Sequence, residues 1–186
     1  EQWILEEPCN RAFTLTIHSV DRGRRKTMGA EVRVKELGLE VPDYGPSTYW
    51  GATYGKMKPF HIKDKVLYLS GQVPMWKGEV FNPGRLGATV NFEEGREAAR
   101  ITGLNCLAGV RQALGSLDHV KALIRSLNFV VCEPDYYDVH EVSSGMTDLF
   151  AEVWGDEIGI GCRATIGVQS LAGNNCFETW TEFEIK

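Results

Sequence analysis

The 186-residue sequence predicts an α/β (α+β) domain in which two helices cover one face of a mixed β-sheet. Strand-like and helix-like segments follow one another in the order β-β-α-β-α-β-β. Only two of the helical segments of this domain are long, so they can cover just one face of the sheet. In residues 177–185, acidic residues and a tryptophan alternate with apolar residues and threonines, which gives that strand two distinct faces. The second face must be solvated or covered in an oligomer.

The composition is that of an ordinary globular protein, with 43% hydrophobic and 24% charged residues. The net charge of −5 argues against a nucleic-acid partner, because phosphate binding depends on clustered Lys and Arg. No apolar stretch is long enough for a membrane helix. The five cysteines are an odd number without CxxC spacing, which argues against disulfides and zinc and favours a reducing cytoplasm.

The chain divides into three regions. Residues 1–27 end in a basic cluster and are interpreted as a leader or a weakly structured tail, with a genuine extra strand or arm as the alternative. Residues 28–59 predict a short helix that ends near Gly38, followed by a loop rich in glycine, proline and aromatic residues. Residues 60–186 predict the compact domain.

The first half of this domain predicts a hairpin and a long helix. The apolar segments 60–62 and 66–70 flank a tight turn at Lys63-Asp64. A loop rich in glycine and proline then leads to Thr89. Asn91, with Glu94 three residues later, predicts a capping box for a helix that runs over 92–114, and Gly115 ends that helix.

The second half predicts one long strand, one helix and two further strands. Residues 120–131 are apolar and β-branched, and residues 138–154 carry apolar side chains at helical spacing. A flexible loop with three glycines follows. Residues 163–170 and 176–185 then predict two strands, expected to pair as a hairpin around the turn at 172–175.

Arg163 is the best candidate for a working residue. The four histidines are isolated, and no spacing of His, Cys, Asp or Glu predicts a metal site. Arg163 is the only Arg or Lys between Arg125 and Lys186, and it lies where the glycine-rich loop enters an apolar strand. A guanidinium there needs a partner, and a bidentate carboxylate is its natural ligand. The alternative is a structural salt bridge or a solvated strand end.

Three segments together resemble the Rid family, also called YjgF or L-PSP endoribonuclease-like. They are VLYLSGQVP at 66–74, the region from EEGREAAR to SLNFV at 93–130, and CRATIGVQSL at 162–171 followed by FETWTEFEI. The sequence is most similar to a branch with an N-terminal extension. The resemblance implies a chorismate mutase-like (bacillus-type) fold and a homotrimer with clefts between subunits. The best-known members hydrolyse reactive enamines and imines to a keto acid and ammonia.

The resemblance also implies roles for individual residues. Arg163 would hold the substrate carboxylate and Glu178 would orient water, which makes both catalytic. Substrate binding would fall to four residues, with Tyr49 as the alternative to the last of them: Gly71, Ser144, Thr165 and Tyr54. Ser144 stands where the family usually has Asn. Hydrolysis of an imine requires no metal or organic cofactor, because the iminium carbon is already electrophilic.

The expected hairpin adds a condition on the site. It would place Glu178 opposite Val168 and about 15 Å from Arg163. The two residues are therefore expected to meet only across neighbouring subunits. Two alternatives stay open, namely a non-catalytic trimer that binds small carboxylates as a regulatory protein, and a pathway-specific deaminase of aminomuconate type. A ribonuclease follows only from the family's older name, and the acidic balance argues against it.

Overall fold

The structure, a computed structural model, describes residues 29–45 and 56–186. The predicted leader, Tyr49 and Tyr54 lie outside these residues. The elements are α1 Ala30–Glu36, β1 Phe60–Lys63, β2 Val66–Leu69, β3 Met75–Trp76, β4 Glu79–Val80, α2 Phe92–Leu114, β5 Val120–Val131, α3 Val139–Trp154, α4 Asp156–Gly159, β6 Cys162–Val168 and β7 Phe177–Ile185.

The long helices begin and end at the residues that the sequence indicates. Oδ1 of Asn91 accepts from N of Glu94 at 2.9 Å, and Oε2 of Glu94 accepts from N of Asn91 at 2.9 Å, which completes the predicted capping box of α2. Gly115, in the left-handed region at φ 76°, ends α2. Asp138 precedes α3 as its N-cap residue, so α3 starts one residue later than predicted.

Two small elements differ from the predictions. The loop before Thr89 contains the two-residue strands β3 and β4, joined by Lys77-Gly78 with positive φ at both positions. The loop with three glycines contains the single helical turn α4. Both elements are too short for a periodic pattern to show in the sequence.

The main sheet has the strand order β1-β2-β7-β5-β6. The predicted hairpin of β1 and β2 is confirmed, with Lys63 paired to Val66, and its turn is Asp64-Lys65, one residue later than predicted. The predicted hairpin of β6 and β7 is wrong, because β5 lies between them, parallel to β6 and antiparallel to β7. The reason is the helical crossover: α3 returns the chain to the edge of β5 in the same direction, as a β-α-β unit requires.

The two faces of the sheet differ as the alternation in β7 predicts. Helices α2 and α3 cover one face, where Leu67, Phe150, Phe177 and Phe183 are fully buried. The other face is open in the single chain and exposes large apolar side chains, among them Tyr68 at 39%, Ile166 at 47% and Trp180 at 53%. Over the described part of the chain, no helix is both long enough and apolar enough to cross a bilayer.

Candidate functional site

Arg163 lies on the edge strand β6 and is held by hydroxyl groups of α3. Its Nη1 donates to Oγ1 of Thr147 at 3.0 Å and to Oγ of Ser144 at 3.3 Å. The two hydroxyls are three residues apart on α3, so they lie on the same side of the helix. The guanidinium is thereby aimed along the rim of the sheet, where it is exposed.

Arg163 differs from the other arginines of the described chain in its ion pairs. Six others have a carboxylate oxygen within 4.0 Å: Arg33, Arg85, Arg96, Arg100, Arg111 and Arg125. Among residues 29–45 and 56–186, Arg163 has no such partner. The structural salt bridge considered as an alternative is therefore not formed within this part of the chain, and the fork of the guanidinium can take the carboxylate of a ligand.

Thr165 lies two residues after Arg163 on β6, so its side chain is on the same side of the strand. Its Oγ1 shares a hydrogen bond of 2.8 Å with Oγ of Ser143, and Nδ2 of Asn128 approaches it at 3.5 Å. Asn128 is fully buried, and its Oδ1 accepts from Oγ1 of Thr179 at 2.6 Å. These polar groups join α3, β6, β5 and β7 beneath the edge strand, and they support the strand that carries the guanidinium.

Glu178 lies on the open face of the sheet, at the wall of a cleft of about 430 Å³. Its Oε1 accepts from Nε1 of Trp180 at 2.8 Å. Gly71, which follows β2, contacts both residues: a Cβ atom there would overlap Oε1 of Glu178 and lie 3.0 Å from Nε1 of Trp180. Gln72 and Thr179 exchange two backbone hydrogen bonds of 2.9 Å, which hold this loop against β7. A side chain at position 71 would therefore displace the Glu178 carboxylate from this position.

The structure separates the two predicted catalytic residues within one chain. Arg163 pairs with Ser126 of β5, and Glu178 pairs with Phe129 of the same strand. A shift of three residues and a distance of two strands correspond to about 14 Å. Because three is an odd number, the two side chains point to opposite faces of the sheet. The predicted separation thus arises from a register different from that of the expected hairpin.

The predicted site residues form two groups. Arg163 lies with Ser144 and near Thr165, and Gly71 lies against Glu178. Thr147 and Asn128 were not predicted from the sequence, and Trp180 was given no role there. Thr147 is recognisable three residues after Ser144 on one helix, and a polar Asn128 inside an apolar strand is a signal of a buried hydrogen bond.

The cysteines near the core lack the features of nucleophiles. Burial raises the pKa of the Cys106 thiol, and it raises the pKa of Cys176 to about 11. A thiol in such surroundings stays protonated at neutral pH and reacts slowly. In the ranges that the structure describes, no three His, Cys, Asp or Glu side chains lie close enough to form a metal site.

Comparison with known proteins identifies the family. Residues 31–174 match the family described as "YjgF/chorismate mutase-like, putative endoribonuclease". The chain belongs to this family. Solved proteins called YjgF or Rid, each 20% identical to this chain, share the mixed α/β fold described above.

Three relatives illustrate the range of similarity. A protein of unknown function from Agrobacterium tumefaciens is 34% identical, with a TM-score of 0.72 over 84% of this chain and 91% of that chain. Protein TCP17 of Trypanosoma cruzi is 36% identical over 107 residues, which are 56% of this chain and 66% of that protein. This chain thus spans just under two thirds of that relative's length. Escherichia coli TdcF, solved with bound serine, shares the fold, with 19% identity and a TM-score of 0.53 over 71% of this chain and 90% of that chain.

Proposed function

We propose that this protein hydrolyses carboxylate-bearing enamines and imines to a keto acid and ammonia, in a cleft between the subunits of a homotrimer. The observation that carries the proposal is Arg163, the arginine that lacks a carboxylate partner in the described chain and is aimed by two hydroxyls of α3. An arginine held in this way binds a carboxylate through two parallel hydrogen bonds. The bound serine of TdcF, itself an amino acid with a carboxylate, supports a small carboxylate as ligand.

The reaction needs few groups beyond this anchor. An enamine takes a proton at Cβ to become the iminium ion, and water then adds to the iminium carbon while Glu178 accepts a proton from the water. Glu178 then returns that proton to the nitrogen of the carbinolamine, the C–N bond breaks, ammonia leaves, and loss of the hydroxyl proton to solvent gives the keto acid. Positioning of the carboxylate and of one water supplies most of the rate enhancement.

Two features favour a site made by neighbouring subunits. Arg163 and Glu178 point to opposite faces of the sheet and lie about 14 Å apart in one chain. Arg163 also lies on an edge strand, and Glu178 lies on the open face with exposed Trp180 and Ile166, where a second copy can cover both. In this arrangement Arg163, Ser144 and Thr165 of one subunit face Gly71 and Glu178 of the next.

The test is ammonia release from an imine made in situ, such as 2-aminoacrylate, by the wild type and by Arg163→Ala. We expect kcat/KM to fall at least about 100-fold in Arg163→Ala, because the carboxylate loses its charged, bidentate partner. Arg100→Ala is the matched control, since Arg100 pairs with Glu152 away from the cleft. An unchanged rate in Arg163→Ala would reject the proposal. Keto acids that stabilise the protein through Arg163 without any turnover would indicate the non-catalytic carboxylate-binding protein instead.

A further inference from the structure

Trp180 is an unusually placed tryptophan. It lies on the central part of the open face, 53% exposed, and its ring meets Phe129 edge to face at a centroid distance of 5.7 Å. It also lines the cleft beside Glu178. A large aromatic side chain that is half-exposed and faces a cleft is well suited to contact a ligand.

The indole N–H of Trp180 donates a hydrogen bond to the carboxylate of Glu178. The hydrogen bond from Nε1 to Oε1 is 2.8 Å long and joins side chains two residues apart on the same face of β7. In residues 29–45 and 56–186, Oε2 of the same carboxylate accepts no hydrogen bond. With Oε1 held by the indole and Gly71 closing one side, Oε2 is the oxygen that can orient a water in the cleft.

The ring of Trp180 belongs to an apolar wall. Met57, Leu69, Val73 and Ala172 line the same cleft, and among its described lining residues Glu178 is the only charged one. Binding of a hydrocarbon side chain to such a surface is favourable because it removes apolar area from water. A polar substrate side chain would find few hydrogen-bond partners there. The cleft volume of about 430 Å³ leaves room for a group as large as a benzyl or isobutyl side chain.

We propose that Trp180 has two roles in this cleft: its N–H positions the Glu178 carboxylate, and its ring selects imines that carry a large apolar side chain. The inference rests on the proposed function. It deepens that function by naming the substrate class, namely 2-imino acids with an aromatic or branched aliphatic side chain in preference to those with a methyl group.

The experiment compares two substrates and two variants. Imines are formed in situ by an amino-acid oxidase from phenylalanine and from alanine, and kcat and KM for keto acid formation are measured. Trp180→Phe keeps an aromatic ring and loses the N–H, so we expect kcat to fall about 10-fold on both imines with an unchanged preference. Trp180→Ala loses both, so the ratio of kcat/KM for the phenylalanine imine over the alanine imine should also fall, by about 10-fold.

A binding measurement makes the second role testable without turnover. Wild type should bind phenylpyruvate more tightly than pyruvate, and Trp180→Ala should lose about 10-fold in phenylpyruvate affinity while its pyruvate affinity stays the same. If wild type hydrolyses neither imine, the proposed function fails, whereas lost phenylpyruvate affinity in Trp180→Ala would still uphold the apolar wall. If wild type shows no preference in either assay, the substrate class is wrong.

Tyr137→Ala is the control, because Tyr137 is an aromatic residue 79% exposed in the loop before α3 and does not line this cleft. It should leave kcat and the substrate preference unchanged. A Trp180→Phe variant with wild-type kcat would overturn the positioning role. A Trp180→Ala variant that alters the oligomeric state, seen by light scattering, yet keeps the substrate preference would reduce Trp180 to an interface residue and overturn the specificity role.

Discussion

The two faces of the sheet differ in how completely the single chain buries their side chains. On the helix-covered face the aromatic core is buried, and the helices above it pair their charges internally, as in Arg96 with Asp148 and Arg111 with Glu31. The open face leaves Tyr68 and Trp180 exposed. Glu178 faces this open side, whereas Arg163 lies on the edge strand β6 and contacts the middle of α3 through Ser144 and Thr147. The core is thus concentrated on one face, whereas the two candidate catalytic residues lie at the edge strand and on the open face.

The strongest test of this contrast mixes two inactive variants. Arg163→Ala and Glu178→Ala should each lose at least about 100-fold in kcat/KM. When the two are unfolded together and refolded, mixed trimers should contain sites with an intact Arg163 from one chain and an intact Glu178 from the next. Random assembly makes about a quarter of the sites intact, so about a quarter of the wild-type activity should return.

The double variant Arg163→Ala/Glu178→Ala is the control for complementation. Refolded with either single variant, it cannot form an intact site, and the activity should stay at the level of the single variants. If native mass spectrometry shows mixed oligomers and no activity returns, the two residues do not act across an interface. Wild-type activity in either single variant alone would show that the substituted residue is dispensable and would reject its catalytic role.

A smaller effect is expected from Gly71→Ala. The added Cβ atom would overlap Oε1 of Glu178, so the carboxylate must turn away from its indole partner. We expect kcat to fall about 10-fold with little change in melting temperature, because the strain falls on a half-buried side chain at the cleft. In a Glu178→Gln background, the same substitution should lower kcat by a much smaller factor. Equal losses in the two backgrounds would show that Gly71 acts independently of Glu178.

The smallest expected effect is on stability, and it comes from a substitution of Glu31 in α1, on the helix-covered side. Its carboxylate accepts from Arg111 at 2.7 and 3.1 Å and from N of Leu117 at 2.9 Å. Burial raises the pKa of Glu31, but these hydrogen bonds outweigh it, and the net pKa is lowered from 4.5. Glu31→Gln should therefore cost about 1 kcal/mol of unfolding free energy at neutral pH.

The sign of the pH dependence follows from the lowered pKa. The stabilisation by Glu31 is fully present above pH 4.5 and is lost as the pH falls below that value, because the carboxylate becomes protonated. The difference in melting temperature between wild type and Glu31→Gln should shrink over this range. Glu36→Gln is the control, since its pair with Arg33 is exposed and should contribute almost nothing. An equal effect of both substitutions would contradict the role given to the partly buried pair of Glu31 and Arg111.

Much of the secondary structure follows from local signals. The capping box at Asn91 and the glycine at 115 mark both ends of α2, and the alternation in β7 shows that the sheet has one covered and one open face. Periodicity and caps act over a few residues, so they are legible along the chain. The short strands β3 and β4 carry no such period and were not predicted.

The candidate site, too, has one feature that is visible in the sequence and others that only the structure shows. Arg163 is conspicuous in the sequence because a basic residue in an otherwise uncharged strand needs a partner. Its hydroxyl partners and the contact of Trp180 with Glu178 depend on rotamers and neighbouring elements, which no local pattern specifies. The predicted hairpin of the last two strands failed because it assumed that strands adjacent in sequence are neighbours in the sheet.

What the residues alone established is the order of the elements, the one-sided helix cover and the candidate cation Arg163. Only the tertiary structure decided that β5 separates β6 from β7, and hence that Arg163 and Glu178 point to opposite faces. The physical reason is the distance along the chain over which each interaction acts. Local propensity selects helices and strands, whereas the strand order depends on the crossover through α3 and on pairing between segments far apart in the chain.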